Sequence, residues 1–207
     1  MEKSIQNKID NIWLKFFEAG LSTPTTIIEQ ISYLIFLKNL DEIEINNEQT
    51  ESLLGVKFKR IFDEEHQKCR WSKLKNLSAP EMYKIYTEKA FPFIKGLQPS
   101  KESAFSRYME NAIVSIPTPL VLEKVITLLD SIPMKDRDTK GDIYEYMLSK
   151  LSTAGDLGQF RTPRHIIRMM VELIKPTPND TICDPACGSS GFLIEAGEYI
   201  RENYKDL

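Results

Sequence analysis

Apolar residues recur along the first half of the chain at the spacing of helix faces. Ile5, Ile9, Ile12, Trp13, Phe16 and Phe17 fall on one face of a first helix, which Gly20 stops. Thr23-Pro24 opens a second helix, with proline in its first turn, that runs towards Glu44. The stretch Ile27 to Leu40 is apolar on most sides, which predicts a central helix. Asn46 to Gly55 reads as a polar connection, and Lys57 to Leu77 as a solvated segment pinned by Trp71. At Ser78-Ala79-Pro80-Glu81 the pattern predicts a capped start, with Ser78 as cap and Glu81 reaching back to it. That helix carries Met82, Ile85, Tyr86 and Phe93 and runs to Gly96. Another is expected from Ser100 to Val114, and Thr118-Pro119 starts one that ends near Ser131.

After Pro133 the pattern changes. Met134 to Lys140 is charged and lacks apolar periodicity, so it reads as a linker between a helical domain, residues 1–133, and a second domain, residues 141–207. Limited proteolysis is expected to cut there first. Gly141 to Leu148 begins a helix that leads to Gly158-Gln159-Phe160-Arg161-Thr162-Pro163. Thr162-Pro163 caps a helix through Ile174 that turns Ile166, Ile167, Met170 and Leu173 inward, and Pro176 and Pro178 end it. Thr181-Ile182-Cys183 predicts a buried strand, followed by the turn Asp184-Pro185-Ala186-Cys187-Gly188-Ser189-Ser190-Gly191 and a helix from Phe192 to Ile200. No internal repeat or low-complexity tract interrupts the chain.

Composition narrows the function classes. The 207 residues are 42% hydrophobic and 28% charged, ordinary values for a globular protein. A net charge of −3 leaves no basic surplus for independent DNA binding, so DNA contact is expected to depend on a partner. Lys95, Lys101 and Arg107 are candidates for phosphate contact, with a solvated face as the default. No apolar run is long enough to span a membrane and no secretory leader is visible, which predicts a cytoplasmic protein. The three cysteines fit a reduced compartment. Cys183 and Cys187 read as small buried residues, because no histidine lies near enough to complete a metal site.

Gly188 and Gly191 permit close approach of a ligand to the backbone, and the helix behind them aims free N–H groups at it. Asp184 at the strand end would repel a pyrophosphate and suits a ligand with an ammonium group. The stretch Asp184-Pro185-Ala186-Cys187-Gly188 through Gly191-Phe192 closely resembles the first cofactor motif of S-adenosylmethionine-dependent adenine-N6 DNA methyltransferases. The upstream Gln159-Phe160-Arg161-Thr162-Pro163-Arg164 resembles their second cofactor segment. The pair at this spacing resembles the modification subunit of type I restriction–modification systems. Arg161 departs from the pattern, which has an aromatic or apolar residue next to Phe160.

The resemblance implies a mainly α chain: the helical domain, then the beginning of a Rossmann-like α/β methyltransferase domain with an incomplete sheet. It also implies a cofactor, S-adenosyl-L-methionine. Asp184 would accept from its ammonium, Gly188 and Gly191 would allow approach, and Ser189 and Ser190 would donate. Thr162, with the backbone from Gln159 to Arg164, would meet the carboxylate end. Two plainer readings stand beside these: Asp184 satisfying its own loop backbone, and Thr162-Pro163 acting only as a helix cap. His165 reads as a surface residue at a helix start. The family's catalytic Asn/Asp-Pro-Pro-aromatic tetrapeptide occurs nowhere in the 207 residues. The chain is therefore expected to be truncated, with the catalytic motif beyond it and no activity of its own. The expected partners are the specificity and restriction subunits, duplex DNA through the complex, and a second copy. The other reading is a non-catalytic helical assembly module that binds a specificity subunit or DNA.

Overall fold

The computed structural model describes residues 3–97, 104–133, 137–153, 162–188 and 190–204, which form two compact units, residues 1–157 and 158–207. In the first unit, α1 (Lys3–Glu18) buries Ile5, Ile9, Ile12 and Phe16. Phe17, expected on the same face, is more than half exposed, because it lies about 100° round the helix from Phe16. Gly20 ends this helix at φ +88°, a value that favours glycine.

The 31-residue α2 (Pro24–Leu54) is central, with Ile27, Ile31, Leu34 and Leu37 fully buried. It does not stop near Glu44. The expected polar connection Asn46–Gly55 is helical to Leu54, and Gly55 closes it at φ +68° by donating its N–H to the Glu51 carbonyl. The polar residues extend the helix because they have partners on the chain that returns past it. Glu44 accepts the Ile61 N–H at 3.0 Å, Glu51 accepts the Phe58 N–H at 2.6 Å, and Glu48 takes both Nη atoms of Arg70 at 2.7 and 3.0 Å.

The returning stretch is correspondingly more than a solvated segment. It buries Phe62, Cys69, Arg70, Trp71 and Leu74, the last two within the single turn α3 (Trp71–Leu74). Arg70 also donates to Asp41 at 2.6 Å, while the other Asp41 oxygen accepts the Ser72 N–H at 2.7 Å. Two carboxylates so placed pin the buried guanidinium and keep it charged. The hydrogen bond from Arg70 holds the Glu48 carboxyl below the usual range.

The next helical run has three parts: α4 (Ala79–Ile85), a π turn over Tyr86–Ala90, and α5 (Phe91–Gly96). Pro92 explains the wider turn. A proline in regular α-helix would clash with the carbonyl four residues back, and i→i+5 spacing removes that clash. Ser78 stands at the N-cap position but its side chain makes no capping bond, so the expected reciprocal cap with Glu81 is not formed.

α6 (Ala104–Glu110) is shorter than the Ser100–Val114 span expected, and Lys101 lies outside the described residues. Lys95 is directed to carbonyls rather than phosphate, donating to Glu110 and Ala112 at 3.1 and 3.0 Å. Fully buried Gln30 bonds the Ile113 carbonyl and the Ser115 N–H, fixing the segment after α6. α7 (Pro119–Asp130) starts where expected, with the Thr118 hydroxyl accepting the Val121 N–H. Buried Lys38 closes its other end through the Leu129 and Ile132 carbonyls, both at 2.9 Å.

α8 (Arg137–Thr153) begins inside the stretch expected as a linker, of which 134–136 lie outside the described residues. Ile143 and Met147 enter the same core as α1 and α2, and the Tyr146 hydroxyl donates to Asp10 at 2.8 Å. Lys150 pairs with Asp10 over the ring of Tyr146, and Lys140 bonds Asn39.

The second unit contains α9 (Arg164–Ile174) and α10 (Gly191–Asn203), joined around Ile167, Val171 and Ala196. Met170 and Leu173, expected inward, are 39% and 74% exposed, and Ile166 is only half-buried. The predicted strand Thr181–Cys183 is not formed, and no strand occurs among the described residues. Ile182 is exposed, as are Cys183 and Cys187, contrary to the expectation that both cysteines are buried. Both corrections have one cause: a parallel strand needs flanking strands for its backbone groups, and the inner face of α9 needs that sheet to cover it.

Candidate cofactor site

Asp184 stands half-buried where the extended segment enters the turn, and its Oδ1 accepts the Ala186 N–H at 3.0 Å. This short carboxylate-to-backbone bond folds Pro185 and Ala186 back on the acid. Two backbone conformations then carry the chain into α10. Gly188 has φ +51°, and Ser190, with φ +62°, occupies the N-cap of α10 in the left-handed region. A non-glycine residue held there is unusual and marks a turn whose shape the surroundings dictate. The Ser190 N–H donates to the Cys187 carbonyl at 2.6 Å, closing the turn. The first N–H groups of α10 have no carbonyl one turn back within the helix and receive no side-chain cap from Ser190, which suits such a helix start to an anionic group.

Gly191 has a different reason to be glycine. A Cβ there would meet Ile167 Cδ1 at 3.0 Å, so its absence lets the first turn of α10 lie against α9. This is helix packing, where the sequence alone suggested room for a ligand.

At the other segment, Thr162 and Pro163 are exposed ahead of α9, and Pro163 rather than Thr162 occupies the N-cap position, with no side-chain capping bond. The helix therefore presents its first N–H groups uncapped by Thr162, whose hydroxyl stands one position outside. Arg164 faces α10, with its guanidinium 3.8 Å from Glu195 and 3.9 Å from Glu198. These two acids were missed in the sequence, although their three-residue spacing puts them on one face of a helix. His165 is exposed, as expected for a residue at a helix start. Gln159, Phe160, Arg161 and Ser189 lie outside the described residues. The structure thus fastens the Arg164 end of α9 and the Gly191 end of α10 within one unit, through Ile167 and the Arg164 ion pairs.

No group of three or more histidines, cysteines or acids among the described residues could hold a metal ion. No helix among them is long and apolar enough to cross a membrane.

A family model for the HsdM N-terminal domain matches residues 5–129, and one for N-6 DNA methylase matches residues 135–207. The methylase subunit of the type I restriction enzyme EcoEI of Escherichia coli is 30% identical over 205 residues, covering 90% of this chain and 39% of that protein. The StySPI methylase subunit of Salmonella potsdam is 32% identical over 146 residues, 67% of this chain and 27% of that protein. The chain thus spans about two fifths or less of the length of these relatives. A modification subunit of a putative type I restriction enzyme from Vibrio vulnificus YJ016 shares the fold, with a TM-score of 0.70 at 22% identity over 95% of this chain and 46% of that one. A structure concerned with complex assembly of a type I R-M system gives 0.68 at 24% identity, covering 100% of this chain and 42% of its own.

Proposed function

This chain belongs to the modification-subunit family of type I restriction–modification systems, and from that premise we propose that it is the N-terminal part of an adenine-N6 DNA methyltransferase. Its helical unit takes in α8 and runs to residue 157, and residues 158–207 begin its methyltransferase domain. The observation that carries the reading is the turn from Asp184 to Gly191, held by Gly188 and Ser190 at positive φ and opening onto uncapped helix N–H groups.

The donor set fits S-adenosyl-L-methionine in part. Asp184 offers a carboxylate to the ammonium of its methionine end, and the N–H groups of α10 together with Ser189 and Ser190 offer hydrogen bonds. Thr162, with the segment Gln159, Phe160, Arg161, Pro163 and Arg164, would hold the cofactor's carboxylate end. When bound, this cofactor supplies an electrophilic methyl on its sulfonium. The work of the residues present is orientation, which accounts for ~7–11 kcal/mol of a barrier when both reactants are seated. The second reactant has no seat in residues 1–207. A flipped adenine needs acceptors for its amino protons and an aromatic face, which the family places on the Asn/Asp-Pro-Pro-aromatic tetrapeptide, and these 207 residues contain none.

Residues 1–207 by themselves therefore hold the cofactor weakly and do not transfer methyl groups. In the cytoplasm the enzyme works with the specificity and restriction subunits and meets duplex DNA through that complex. The net charge of −3, which gives this chain no DNA-binding surplus, supports that dependence.

The experiment is a tritiated-methyl assay on duplex DNA with the specificity subunit present. It compares residues 1–207 with a chain extended through the tetrapeptide, and the extended chain with and without Asp184→Ala. Transfer should appear only on extension and fall at least tenfold with the substitution. Equal transfer by both chains would overturn the placement of catalysis outside residues 1–207. Unchanged transfer by the Asp184 variant would remove that residue from the cofactor site.

A further inference from the structure

Thr162 stands just ahead of α9 and the Asp184–Gly191 turn just ahead of α10, so the two halves of the cofactor site ride on different helices. Their separation is set by whatever fixes α9 against α10. The apolar part of that contact is small. Among the described residues it comprises Ile167, Val171 and Ala196, with Phe192 and Tyr199 packed against them. Apolar burial has no direction, so a seam of this size does little to stop α9 from turning or sliding on its neighbour.

Three charged side chains add the direction. Arg164, the first residue of α9, holds Nε 3.8 Å from Glu195 and an Nη 3.9 Å from Glu198. These acids stand about one and two turns into α10, behind Gly191, whose missing Cβ lets Ile167 come close. Their side chains are only 14% and 20% exposed, so they lie in the contact and not on an outer face. Arg168, one turn further along α9, pairs instead with Glu172 on its own helix. An ion-pair bridge between the helices therefore runs through Arg164, two residues from Thr162. The guanidinium faces carboxylates of the chain itself, although its segment belongs to the carboxylate end of the cofactor.

We propose, on the reading that this site takes S-adenosyl-L-methionine, that Glu195 and Glu198 are positioning residues for it. Through Arg164 they fix the start of α9, and with it Thr162, at the distance from the Asp184–Gly191 turn that the methionine end of the cofactor needs. Neither acid touches the ligand. A ligand held at both ends is sensitive to that distance, because a working site keeps its groups within about 0.5 Å of the productive geometry. Stability is much less sensitive, since partly exposed pairs add little to it. Losing the bridge should therefore weaken the cofactor and leave the fold in place.

The test uses the chain extended through the tetrapeptide, with the specificity subunit, and reads calorimetric Kd beside KM and kcat. Glu195→Gln with Glu198→Gln should raise Kd and KM for S-adenosyl-L-methionine about fivefold, with kcat and the KM for duplex DNA within about twofold. Arg164→Glu, which sets three carboxylates together, should raise the cofactor constants about tenfold or more. Adding Glu195→Arg to that variant should bring them back to within about twofold, because the bridge re-forms with its charges exchanged. Without cofactor, amide exchange should quicken in the first turns of α9 in the double glutamine variant and recover in the exchanged pair, with α2 unchanged. Unchanged cofactor constants in the double glutamine variant overturn the proposal. So does an exchanged pair that stays weak, which would put the Arg164 guanidinium on the cofactor itself. Asp184→Ala separates this outcome from the cofactor reading: an effect of Asp184 without one of Glu195 and Glu198 removes the bridge alone, and no effect of any of them removes the site.

Discussion

Both units are built from amphipathic helices, yet they bury those helices to different degrees. In the N-terminal unit a single cluster runs from Ile5 on α1 to Met147 on α8, and each long helix has found partners for its apolar side. In the C-terminal unit the buried cluster among the described residues holds Ile167, Val171 and Ala196, while Leu173 and Ile174 on α9 and Ile194 on α10 remain 55% exposed or more. α9 is as sharply patterned as any helix of the first unit. A patterned face alone therefore does not make a core; it needs a second layer of matching shape. The polar groups teach the same lesson. Arg70 is buried against Asp41 and held by Glu48, whereas Arg164 faces its acids at 3.8–3.9 Å with a quarter of its side chain exposed.

The largest test of this contrast compares the two arginines. Arg70→Met should destabilise the N-terminal unit by about 3–5 kcal/mol, because it strands the Asp41 carboxylate in a buried site. Arg164→Met should cost under about 1 kcal/mol, as exposed pairs do. Urea unfolding of both variants, followed by tryptophan fluorescence and helical ellipticity, measures the difference. Equal losses would show that the two units fold as one cooperative body.

A smaller effect is expected in the turn. Gly188→Ala places a Cβ at φ +51° and should cost ~1–2 kcal/mol, confined to the second unit. Amide exchange should quicken in α10 and stay unchanged in α2, and a uniform change would contradict the separation.

The smallest effect is acid sensitivity. The Arg70 hydrogen bond depresses the folded-state pKa of Glu48. Its contribution is therefore present above the unfolded carboxylate pKa, about 4.3, and is lost as pH falls through the lower folded value. Burial pulls Asp130 upward, but hydrogen bonds from Trp71 and Lys75 outweigh it and leave that pKa depressed too. The urea midpoint of the N-terminal unit should thus drop below about pH 4, and Glu48→Gln should flatten that slope. A midpoint indifferent to pH between 7 and 3 would discount both carboxylates.

The sequence by itself determined most of the helices, because a helix is a local structure whose face, cap and stop lie within a few turns. Ile5 to Phe16, Thr118-Pro119 and Gly20 carried those signals. The turn itself was legible at Gly188, which takes the positive φ that its residue type suggests, whereas Gly191, read as room for a ligand, lies against Ile167. Only the tertiary structure decided where polar helix ends and charged segments go. Asn46 to Leu54 is helical because Arg60, Arg70 and the backbone of Phe58 and Ile61 return to the acids of α2 from 7 to 22 residues away, a distance that no local pattern encodes. Tertiary structure also decided the fate of Thr181–Cys183. Its composition is that of a buried strand, but strand pairing is supplied by neighbours, and without them among the described residues the segment stays extended and exposed.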